Sequence, residues 1–600
     1  MKILGISCWY HDSAVAFIEN GIIKNALQEE RFTRKKHDPN FPLNSILWIL
    51  DKYNLKINDF DYIAFYEDPN LKFKRIKYTH SINWPFSFEK YLKDMDSQEF
   101  KISIKRYIRK KLKFKGKFFI CKHHISHAAS AFYPSPFSKA AILTIDGVGE
   151  YETTTFGIGS GKNIDIKKRV HYPHSLGLLY SAFTYYCGFK VNSGEYKLMG
   201  LAPYGRPIYK ELILDNLVDV KEDGSFRLNM KYFGHFGQDV AINNEFEKLF
   251  KNIRRAPESE ISNFYINIAS SIQNVLEEIF ISICSFVKDE TELDNLCLAG
   301  GVALNCVANG KLLKKNLFEN LWIQPAAGDA GGALGAALYC SNQKYNNNSK
   351  KPQFMSPYLG PEFKDEDIEI YLKKNKINFL KTKNITEISA DLLSKGKIIG
   401  WFQGGSEFGP RSLGNRSILG NPLIKDMQKN INLKVKFRES FRPFAPVILE
   451  EYLHEWFDLN TISSPYMLLV SKLNKTKLLK DSTLRKYDFE DLAITRSLIP
   501  AVTHVDCSAR IQTITAKQNY LLYDLISKFN SITNCPVLIN TSFNVRGEPI
   551  VLTPDDAFRC FMMTNIDYLS MGSYLIDKKQ EFYSQCNIIE NNINSIFPLD

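Results

Sequence analysis

Three histidines stand close together in the segment CKHHISHAASAF, at spacings that allow two of them to share one ligand. His123 and His127 are four residues apart, so a helix would place both imidazoles on one face, where they can reach a single metal ion. His124 and His127, three residues apart, form a competing pair. Because such pairs are also common on helix surfaces, the spacing indicates a metal site only if further ligands join it.

Two aspartates are the candidates for those further ligands. Asp146 lies in TIDGVGE and Asp329 in QPAAGDAGGALGAAL, both in or beside glycine-rich turns at the ends of apolar strands. Two imidazoles with two carboxylates suit a borderline divalent ion such as Fe(II), Zn(II) or Mn(II), rather than a thiolate-selected one. The sequence therefore predicts a metal site at His123, His127, Asp146 and Asp329, and leaves the metal open.

His11 is a candidate for proton transfer near the same cleft. It precedes Asp12 in the polar turn after the first apolar strand. An imidazole that titrates near neutral pH can take the proton of an alcohol as the alcohol attacks a carbonyl, so a general base is one interpretation. A histidine held in a turn by hydrogen bonds is the competing one.

Basic residues that suit phosphate binding lie beyond residue 400. Arginine has a planar fork that binds phosphate through two hydrogen bonds, and nearby glycines expose backbone donors. Glu407, Glu439 and Glu548 in the same segments would instead favour a lattice of salt bridges, and Lys434 competes with Lys436. Because Arg recurs with Gly, Asn and Ser in four separate segments, we favour one convergent anion pocket. Its candidates are Arg411, Arg416, Lys434, Lys436, Arg438, Arg442, Arg510 and Arg546.

The elements around the first set of candidates repeat a pattern. Residues 2–23 read as a strand, a polar turn, a second strand, the hairpin dipeptide Asn20-Gly21 and a third strand. Residues 140–160 again give a strand, a turn with Asp146 and two glycines, and a second strand. The repetition is typical of a duplicated actin-like ATPase fold with two phosphate-facing hairpins.

Further along, a helix is predicted from about Ser262 to Lys288, followed by the strand of DNLCLAGGVALN. Gly300 and Gly301 end that strand and lead into a helix, a geometry that directs backbone N–H groups towards an anion. Close packing between a strand and a helix would also require two glycines, so both interpretations stay open.

The chain has 600 residues, which is more than a single hydrophobic core supports. A polar, Asn-rich and Pro-interrupted stretch begins near residue 341 and marks a connector. We therefore predict a mixed α/β protein with a first domain at 1–345, a connector at 346–385 and a second domain at 386–600.

Composition narrows the class of protein further. With 44% hydrophobic and 24% charged residues, the chain is neither disordered nor of low complexity. No apolar run reaches the length of a membrane span, and the N-terminus does not resemble a cleaved signal, so a cytoplasmic location is expected. Eleven cysteines without a C-x-x-C pair indicate neither a disulfide framework nor a cysteine zinc site.

The net charge of +12 is concentrated locally. Residues 101–117, KISIKRYIRKKLKFKGK, hold nine cations and no acid. A solvated helix face that runs into a loop is one interpretation of this segment, and a docking patch for an acidic partner or substrate is the other.

Ordered motifs along nearly the whole chain carry a resemblance to a known family. They are GISCWYHDSAV, HHISHAASAF, TIDGVGE, GEYKLMGLAPYG, LAGGVALN, GDAGGALGAAL, FGPRSLGNRSIL, RESFRPFAP, HVDCSARIQ and NTSFNVRGEPIV. The chain resembles the ATP-dependent O-carbamoyltransferases of nodulation-factor and antibiotic tailoring. The resemblance implies an actin-like (ribonuclease H-like) first lobe and a second α/β lobe similar to the YrdC-type threonylcarbamoyl-adenylate synthases.

The resemblance also implies a reaction in two steps. In the second lobe, carbamoyl phosphate and ATP, with Mg(II), give carbamoyl-adenylate. In the first lobe, the carbamoyl group passes to an acceptor hydroxyl and AMP leaves. By this resemblance the metal is Fe(II), held by His123, His127, Asp146 and Asp329 as a Lewis acid, and His11 is the general base.

Further site residues are implied by the same resemblance. The nucleotide-binding segments of the family match Gly147, Gly149, Glu195, Lys197, Gly301 and Asn305. The best match to its carbamoyl-phosphate and ATP pocket is formed by Arg411, Lys436, Arg442, Arg510 and Arg546.

Two other functions are alternatives, namely a tRNA threonylcarbamoyl transferase and a non-catalytic binding protein on an actin-like fold. We expect a small hydroxylated acceptor, no nucleic-acid partner, no membrane span and, as the usual state of a soluble enzyme, a homodimer. The sequence does not identify the acceptor.

Overall fold

In the computed structural model, residues 1–85, 87–234, 241–345 and 355–580 are described, except for the side chains of 96–101. The chain divides into two compact units. The first comprises Met1–Thr33 and His37–Met355, and the second Arg34–Lys36 and Ser356–Asp600. Part of the predicted connector, 346–354, and the end of the second predicted domain, 581–600, lie outside the described residues.

The strands of the first unit are β1 Lys2–Ser7, β2 Ala14–Glu19, β3 Ile22–Gln28, β4 Tyr62–Phe65, β5 Lys117–Ile120, β6 Lys139–Ile145, β7 Glu152–Ser160, β8 Asn163–His171, β9 Val218–Val220, β10 Phe226–Leu228, β11 Asn295–Ala299 and β12 Asn320–Ile323. Its helices are α1 Glu29–Thr33, α2 Leu43–Lys52, α3 Pro69–Ile82, α4 Phe88–Ile102, α5 Ile104–Leu112, α6 His123–Phe132, α7 Leu176–Tyr186, α8 Glu195–Leu201, α9 Lys210–Asn216, α10 Asn244–Phe250, α11 Asn263–Thr291, α12 Cys306–Lys314 and α13 Asp329–Lys344. The helix predicted near 262–288 is confirmed as α11.

Two five-stranded sheets in this unit have the same topology. The first has the order β3-β2-β1-β4-β5, and the second, read from its other edge, the order β8-β7-β6-β11-β12. In each sheet the first three strands along the chain are antiparallel neighbours and the last two run parallel to the first. The predicted duplication is confirmed, and we call residues 2–132 copy one and residues 139–344 copy two.

The predicted turn between β2 and β3 is also confirmed. Asn20 and Gly21 both have positive φ, 50° and 80°, which is the backbone that a two-residue hairpin of this kind requires. The antiparallel ladder between β2 and β3 shifts register once, between Phe17 and Ile18.

The two copies exchange their last helices. α6 follows the last strand of copy one but packs on β6, β7 and β11 of copy two, whereas α13 follows copy two and packs on β1, β2 and β4 of copy one. The two helices also pack against each other. A Cβ on Gly335 of α13 would stand 1.7 Å from the carbonyl oxygen of Ser126 in α6, so only glycine permits this approach.

The basic segment 101–117 forms α5 and leads into β5. Ile104 and Ile108 of α5 are buried, while the cations from Lys105 to Lys117 are exposed; the side chain of Lys101 lies outside the described residues. The helix therefore has an apolar inner face and a charged, solvated outer face.

The strands of the second unit are β13 Leu380–Lys381, β14 Ile399–Phe402, β15 Arg416–Gly420, β16 Ala445–Leu449, β17 Leu469–Lys472, β18 Ser508–Ile514, β19 Val537–Ser542, β20 Tyr568–Met571 and β21 Tyr574–Asp577. Its helices are α14 Asp365–Lys374, α15 Ile385–Ser394, α16 Met427–Lys434, α17 Leu453–Trp456, α18 Tyr520–Thr533 and α19 Pro554–Met562. Both α14 and β13 lie within the stretch that the sequence assigns to the connector.

These nine strands form one mixed sheet of order β13-β21-β20-β14-β15-β19-β16-β18-β17. The α/β class predicted for the chain is confirmed, whereas the likeness of this unit to the YrdC type stays a prediction. Arg34, which is distant in sequence, donates hydrogen bonds to the carbonyl oxygens of Pro549 and Ile550 at 2.8 and 2.7 Å. Within the described part of the chain, no helix is both long and apolar enough to cross a membrane.

Candidate active site

The four predicted metal ligands come together in the first unit. His123 and His127 project from α6, Asp146 follows β6, and Asp329 begins α13. One ligand atom of each residue lies within 4.8 Å of the others. The His123 and His127 Nε2 atoms are 3.0 Å apart, and His123 Nε2 is 3.0 Å from the Asp146 carboxylate and 3.7 Å from that of Asp329.

These distances fit a shared cation. Ligand atoms about 2.1 Å from one ion and at right angles to each other are about 3.0 Å apart, which is the separation of the two imidazole nitrogens. His123, His127 and Asp329 are at most 2% exposed. Two imidazoles and two carboxylates thus converge on one buried point with the donor set of a borderline divalent ion.

The charges of the cluster favour a cation as well. Burial lowers the pKa of His127, but its hydrogen bonds with Asp146 and Asp329 outweigh burial and raise that pKa to about 9. Burial raises the pKa of Asp146, yet His123 and His127 bring it well below its usual range. The two carboxylates therefore require positive charge beside them, which a bound divalent ion supplies.

Backbone contacts fix two of the ligands. The Glu150 carboxylate accepts hydrogen bonds from the His123 N–H at 2.9 and 3.1 Å, and so caps the first turn of α6. Asp146 accepts a hydrogen bond from the Gly301 N–H at 2.9 Å through the oxygen that does not face His123. Glu150, which the sequence analysis missed, stands four residues after Asp146 in the motif TIDGVGE.

His124 lies outside the cluster. Its Nδ1 is 2.6 Å from the Thr144 hydroxyl and its Nε2 is 3.0 Å from the Glu152 carbonyl oxygen. Burial, with the neighbouring imidazoles of His123 and His127, lowers the pKa of His124 to about 3. Of the two spacings in CKHHISHAASAF, the structure therefore favours His123 with His127.

His11 stands beside the cluster and is held by Asp12. The His11 Nδ1 is 2.9 Å from the Asp12 carboxylate, and its Nε2 is 3.9 Å from that of Asp329. The other Asp12 oxygen is 2.8 Å from Nδ1 of His37. Asp12 therefore bridges two imidazoles and directs Nε2 of His11 towards the metal ligands.

The electrostatics of His11 follow from these contacts. Burial lowers its pKa, but the carboxylates of Asp329 and Asp12 outweigh burial and raise that pKa to about 9. A divalent cation bound to Asp329 reverses this influence. The Asp12–His37 contact was not foreseen, and the only signal for it in the sequence was the position of Asp12 next to His11.

The glycines among the predicted nucleotide-binding residues follow the carboxyl ends of strands in the copy-two sheet. β6 and β11 are parallel neighbours, with Thr144 opposite Ala299, so Gly147 and Gly301 follow adjacent strand ends. A Cβ on Gly149 would stand 3.0 Å from atoms of both His123 and His124. Gly149 therefore leaves room for the histidines, and its contact with a nucleotide stays a prediction.

The remaining predicted nucleotide residues gather around α7. Asn305 exchanges hydrogen bonds of 3.1 Å with Gln273, to which the Tyr180 hydroxyl of α7 donates at 2.7 Å. Ser181, the next residue of α7, donates to Glu195 at 2.9 Å. Lys197 is 2% exposed. The structure thus brings Asn305 and Glu195 to one helix, and their roles stay predictions.

In the second unit the predicted basic segments meet at one end of the sheet. β16 and β18 are parallel, so Arg442, just before β16, and Arg510, near the start of β18, lie at the same end. β19 runs antiparallel to both β15 and β16 and finishes at this end, before Arg546. Arg411, in the loop before β15, joins them. The strand directions therefore bring these four arginines to the same end of the sheet, as the predicted anion pocket requires.

Lys436 and Lys434 are distinguished by burial. Lys434 is exposed, whereas Lys436 is 3% exposed and donates to the carbonyl oxygens of Ser542 and Asn544 at 2.7 and 2.8 Å. Burial, together with Arg438 and Arg442, lowers the pKa of Lys436 well below its usual range. Lys436 holds the loop after β19, and its direct contact with phosphate stays a prediction.

The three glutamates of these segments make different contacts. Glu407 accepts backbone N–H groups of Leu413 and Asn415 at 2.8 Å and so braces the glycine-rich loop. Glu548 pairs with Arg559 at 3.3 Å, and Glu439 approaches Arg442 at 3.7 Å. Glu439 therefore lies beside Arg442, a predicted phosphate ligand.

Comparisons with known proteins give matches over nearly the whole chain. The family described as "Carbamoyltransferase N-terminus" matches residues 2–338, and "Carbamoyltransferase C-terminus" matches residues 390–578. The protein sll1178 of Synechocystis is 49% identical over 598 residues, covering 96% of each chain. The nodulation protein NolNO of Sinorhizobium fredii is 34% identical over 580 residues, covering 95% of this chain and 79% of its own.

Similarity to solved structures is weaker. Full-length HypF in its phosphate- and nucleotide-bound form aligns with 58% of this chain and 56% of its own, at 13% identity and a TM-score of 0.30. The family matches, by contrast, extend over both halves of the chain.

Proposed function

The chain belongs to the carbamoyltransferase family, and from this premise we propose that it is an ATP-dependent O-carbamoyltransferase. Carbamoyl phosphate, ATP and water would give carbamoyl-adenylate, pyrophosphate and phosphate. The carbamoyl group would then pass to a hydroxyl of a sugar or another natural product, with release of AMP. The buried cluster of His123, His127, Asp146 and Asp329, with His11 beside it, is the observation that carries the proposal.

A divalent ion held by this cluster, Fe(II) in our proposal, would supply a Lewis acid that polarises a carbonyl or phosphoryl oxygen. The residues of the chain supply the rest. Glu150 fixes the start of α6 through the His123 N–H, and Gly301 fixes the Asp146 carboxylate. Both supports restrict the ligands to one arrangement, as supporting contacts do in metal sites generally.

His11 would take the proton of the acceptor hydroxyl. Its Nδ1 is occupied by Asp12, so Nε2 is the nitrogen that accepts the proton. The acceptor oxygen forms a bond to the carbamoyl carbon, the bond from that carbon to the phosphate oxygen breaks, and AMP leaves with the electron pair. The proton rests on His11 until solvent or the leaving phosphate takes it.

The first step would use the end of the second-unit sheet. Arg411, Arg442, Arg510 and Arg546 lie in or beside strands that meet there. Their guanidinium forks, together with Mg(II), would neutralise the phosphates of ATP and carbamoyl phosphate. Lys436 would keep the loop after β19 in place by its bonds to Ser542 and Asn544.

The test separates the two steps. Protein loaded with Fe(II) is given carbamoyl phosphate and Mg-ATP, and pyrophosphate is measured without an acceptor. A panel of hydroxylated sugars is then added, and AMP and a mass gain of one carbamoyl group are measured. We expect pyrophosphate in the first stage and AMP with a carbamoylated sugar in the second.

Matched variants assign the steps to the units. Arg510→Met should abolish pyrophosphate release, while the exposed Lys434→Met in the same unit should not. His127→Ala should strongly slow carbamoylation of the sugar. Absence of pyrophosphate and AMP from the wild-type protein with every acceptor would refute the proposal. Carbamoylation that requires tRNA and fails with all sugars would favour the tRNA alternative instead.

A further inference from the structure

The buried face of α3 is polar and basic. Lys72, Arg75 and Thr79 are spaced at i, i+3 and i+7, so they lie on one side of the helix, and they are only 5%, 9% and 7% exposed. A helix on the surface of a globular protein normally buries an apolar stripe instead. Burying cations is unfavourable unless they are paired, so each of these charges needs a partner.

Lys72 has one. Its Nζ is 2.6 Å from the Glu67 carboxylate, which is fully buried. A second nearby acid, Glu150, accepts the backbone N–H groups of Asp68 and His123 at 2.7 and 2.9 Å. The N-cap Asp68 accepts the backbone N–H groups of Asn70 and Leu71, so all three carboxylates at the start of α3 are already engaged.

Arg75 has no such partner. Its guanidinium makes no hydrogen bond or ion pair with any residue in the described ranges, and its Nε is buried without an acceptor. The guanidinium carbon stands 4.8 Å from the ring centroid of Tyr172. Burial lowers the pKa of Arg75, and Tyr172, Tyr10 and Glu67 only partly oppose this. An aromatic face attracts a cation but does not neutralise it.

Arg75 lies next to the proposed transfer site. Lys72, one turn before it on the same face of α3, has its Nζ 4.9 Å from the ring centroid of Tyr10. The ring of Tyr10, which is 44% exposed, is 4.6 Å from that of His11. A molecule whose hydroxyl reached His11 would therefore have Tyr10 and the basic face of α3 beside it.

We propose that Arg75 binds an acidic group, a carboxylate or phosphate, of the carbamoyl acceptor, and so holds the acceptor with its hydroxyl at His11. The inference rests on the proposed function and specifies its substrate class as acidic sugars or acidic natural products. A neutral hydroxyl would leave the charge of Arg75 uncompensated, whereas an oxyanion binds the planar fork through two charge-assisted hydrogen bonds.

The same oxyanion chemistry could come from the phosphate of the nucleotide, so the experiment compares both sources. Calorimetric titration of the Fe(II)-loaded protein uses D-glucuronate and D-glucose 6-phosphate against D-glucose, D-galacturonate against D-galactose, and AMP separately. Each is repeated on Arg75→Met, on Arg75→Lys, and on Lys74→Met, which removes an exposed cation from the same helix. Circular dichroism verifies that the variants are folded.

For the wild-type protein we expect at least one acidic sugar to bind about tenfold or more tightly than its neutral counterpart. Arg75→Met should remove this preference, Arg75→Lys should keep part of it, and Lys74→Met should keep it all. Affinity for AMP should be the same in all four proteins.

Equal affinity for acidic and neutral sugars in the wild-type protein would overturn the proposal without any variant, and so would a preference that survives Arg75→Met. Weaker binding of AMP by Arg75→Met, with sugar affinities unchanged, would assign Arg75 to the nucleotide and overturn it too. Release of pyrophosphate from carbamoyl phosphate and ATP, measured without a sugar, tests the proposed function separately.

Discussion

The two copies of the five-stranded sheet place different chemistry at equivalent positions. In copy one, the turn after the first strand carries His11 and Asp12, and the helix after the last strand carries His123 and His127. In copy two, the same turn carries Asp146 and the same helix begins with Asp329. Among the candidate metal ligands, copy one thus supplies the imidazoles and copy two supplies the carboxylates.

Because of this division, two sheets of the same topology could serve two different tasks, metal binding and proton transfer. Two oxygen donors from one copy and two nitrogen donors from the other make a mixed set, which suits a borderline ion better than four oxygens would. The remaining imidazole of copy one, His11, stays outside the cluster because Asp12 holds it. The difference between the copies would therefore separate the proposed metal binding, which needs both copies, from the proposed proton transfer, which needs copy one alone.

Removing one metal ligand from each copy is the strongest test of this shared role. His127→Ala and Asp329→Ala should each lose bound Fe(II) and slow sugar carbamoylation about a thousandfold, since a Lewis acid contributes several kcal/mol. Metal content is measured by mass spectrometry after reconstitution with Fe(II). His124→Gln is the matched control and should keep the metal. If only one of the two variants, His127→Ala or Asp329→Ala, lost iron, the proposal that both copies supply metal ligands would be wrong.

Replacing His11 should have the next largest effect. His11→Gln removes the proposed base, so carbamoylation should slow about a hundredfold or more, while iron content stays at the wild-type level. The rate is measured from the AMP and the carbamoylated sugar that form, and the pyrophosphate released without an acceptor is measured alongside. Loss of iron from His11→Gln would mean that His11 also takes part in metal binding, so that proton transfer and metal binding are not separate.

Close packing of α6 on α13 should matter less for the reaction and more for stability. In Gly335→Ala the new Cβ would meet the Ser126 carbonyl oxygen at 1.7 Å, and overpacking of this kind costs about 1–3 kcal/mol. Thermal unfolding and hydrogen exchange of α6 and α13 report it. Gly328→Ala, where a Cβ has nothing within 4 Å, is the control and should be unaffected.

The smallest effect is expected where His37 supports Asp12. His37→Asn leaves Asp12 bound to His11 alone, and loss of a supporting contact typically costs about tenfold or more in rate. The rate of carbamoylation at saturating sugar should fall while the affinity for the sugar and the iron content stay constant. A change in sugar affinity with an unchanged maximal rate would assign His37 to substrate binding instead.

Much of the cluster could be predicted because its signals are local. The spacing of His123 and His127 fixes a shared helix face, and glycines next to Asp146 mark a turn at a strand end. The hairpin at Asn20-Gly21 and the long helix α11 were equally predictable, since turn chemistry and helical periodicity depend on neighbours in sequence. The duplicated sheet followed from the repetition of one strand-turn-strand pattern.

What the sequence could not provide depends on contacts between distant elements. Asp12 contacts not only its neighbour His11 but also His37, which lies 25 positions further along the chain. Lys436 looks like a phosphate ligand in sequence, yet its ammonium bonds to carbonyl groups more than 100 residues away. The charge of Arg75 is unusual only once α3 is seen to turn its basic face inwards.

The exchange of α6 and α13 has a consequence for synthesis on the ribosome. One face of the first sheet, which contains Ile3 and Gly5 of β1, is covered by a helix that ends at Lys344. At 5–20 residues per second, this helix emerges roughly 17 to 70 s after translation begins. Until then this face of the first sheet lacks its covering helix, and we expect neither copy to fold when it is expressed without the other.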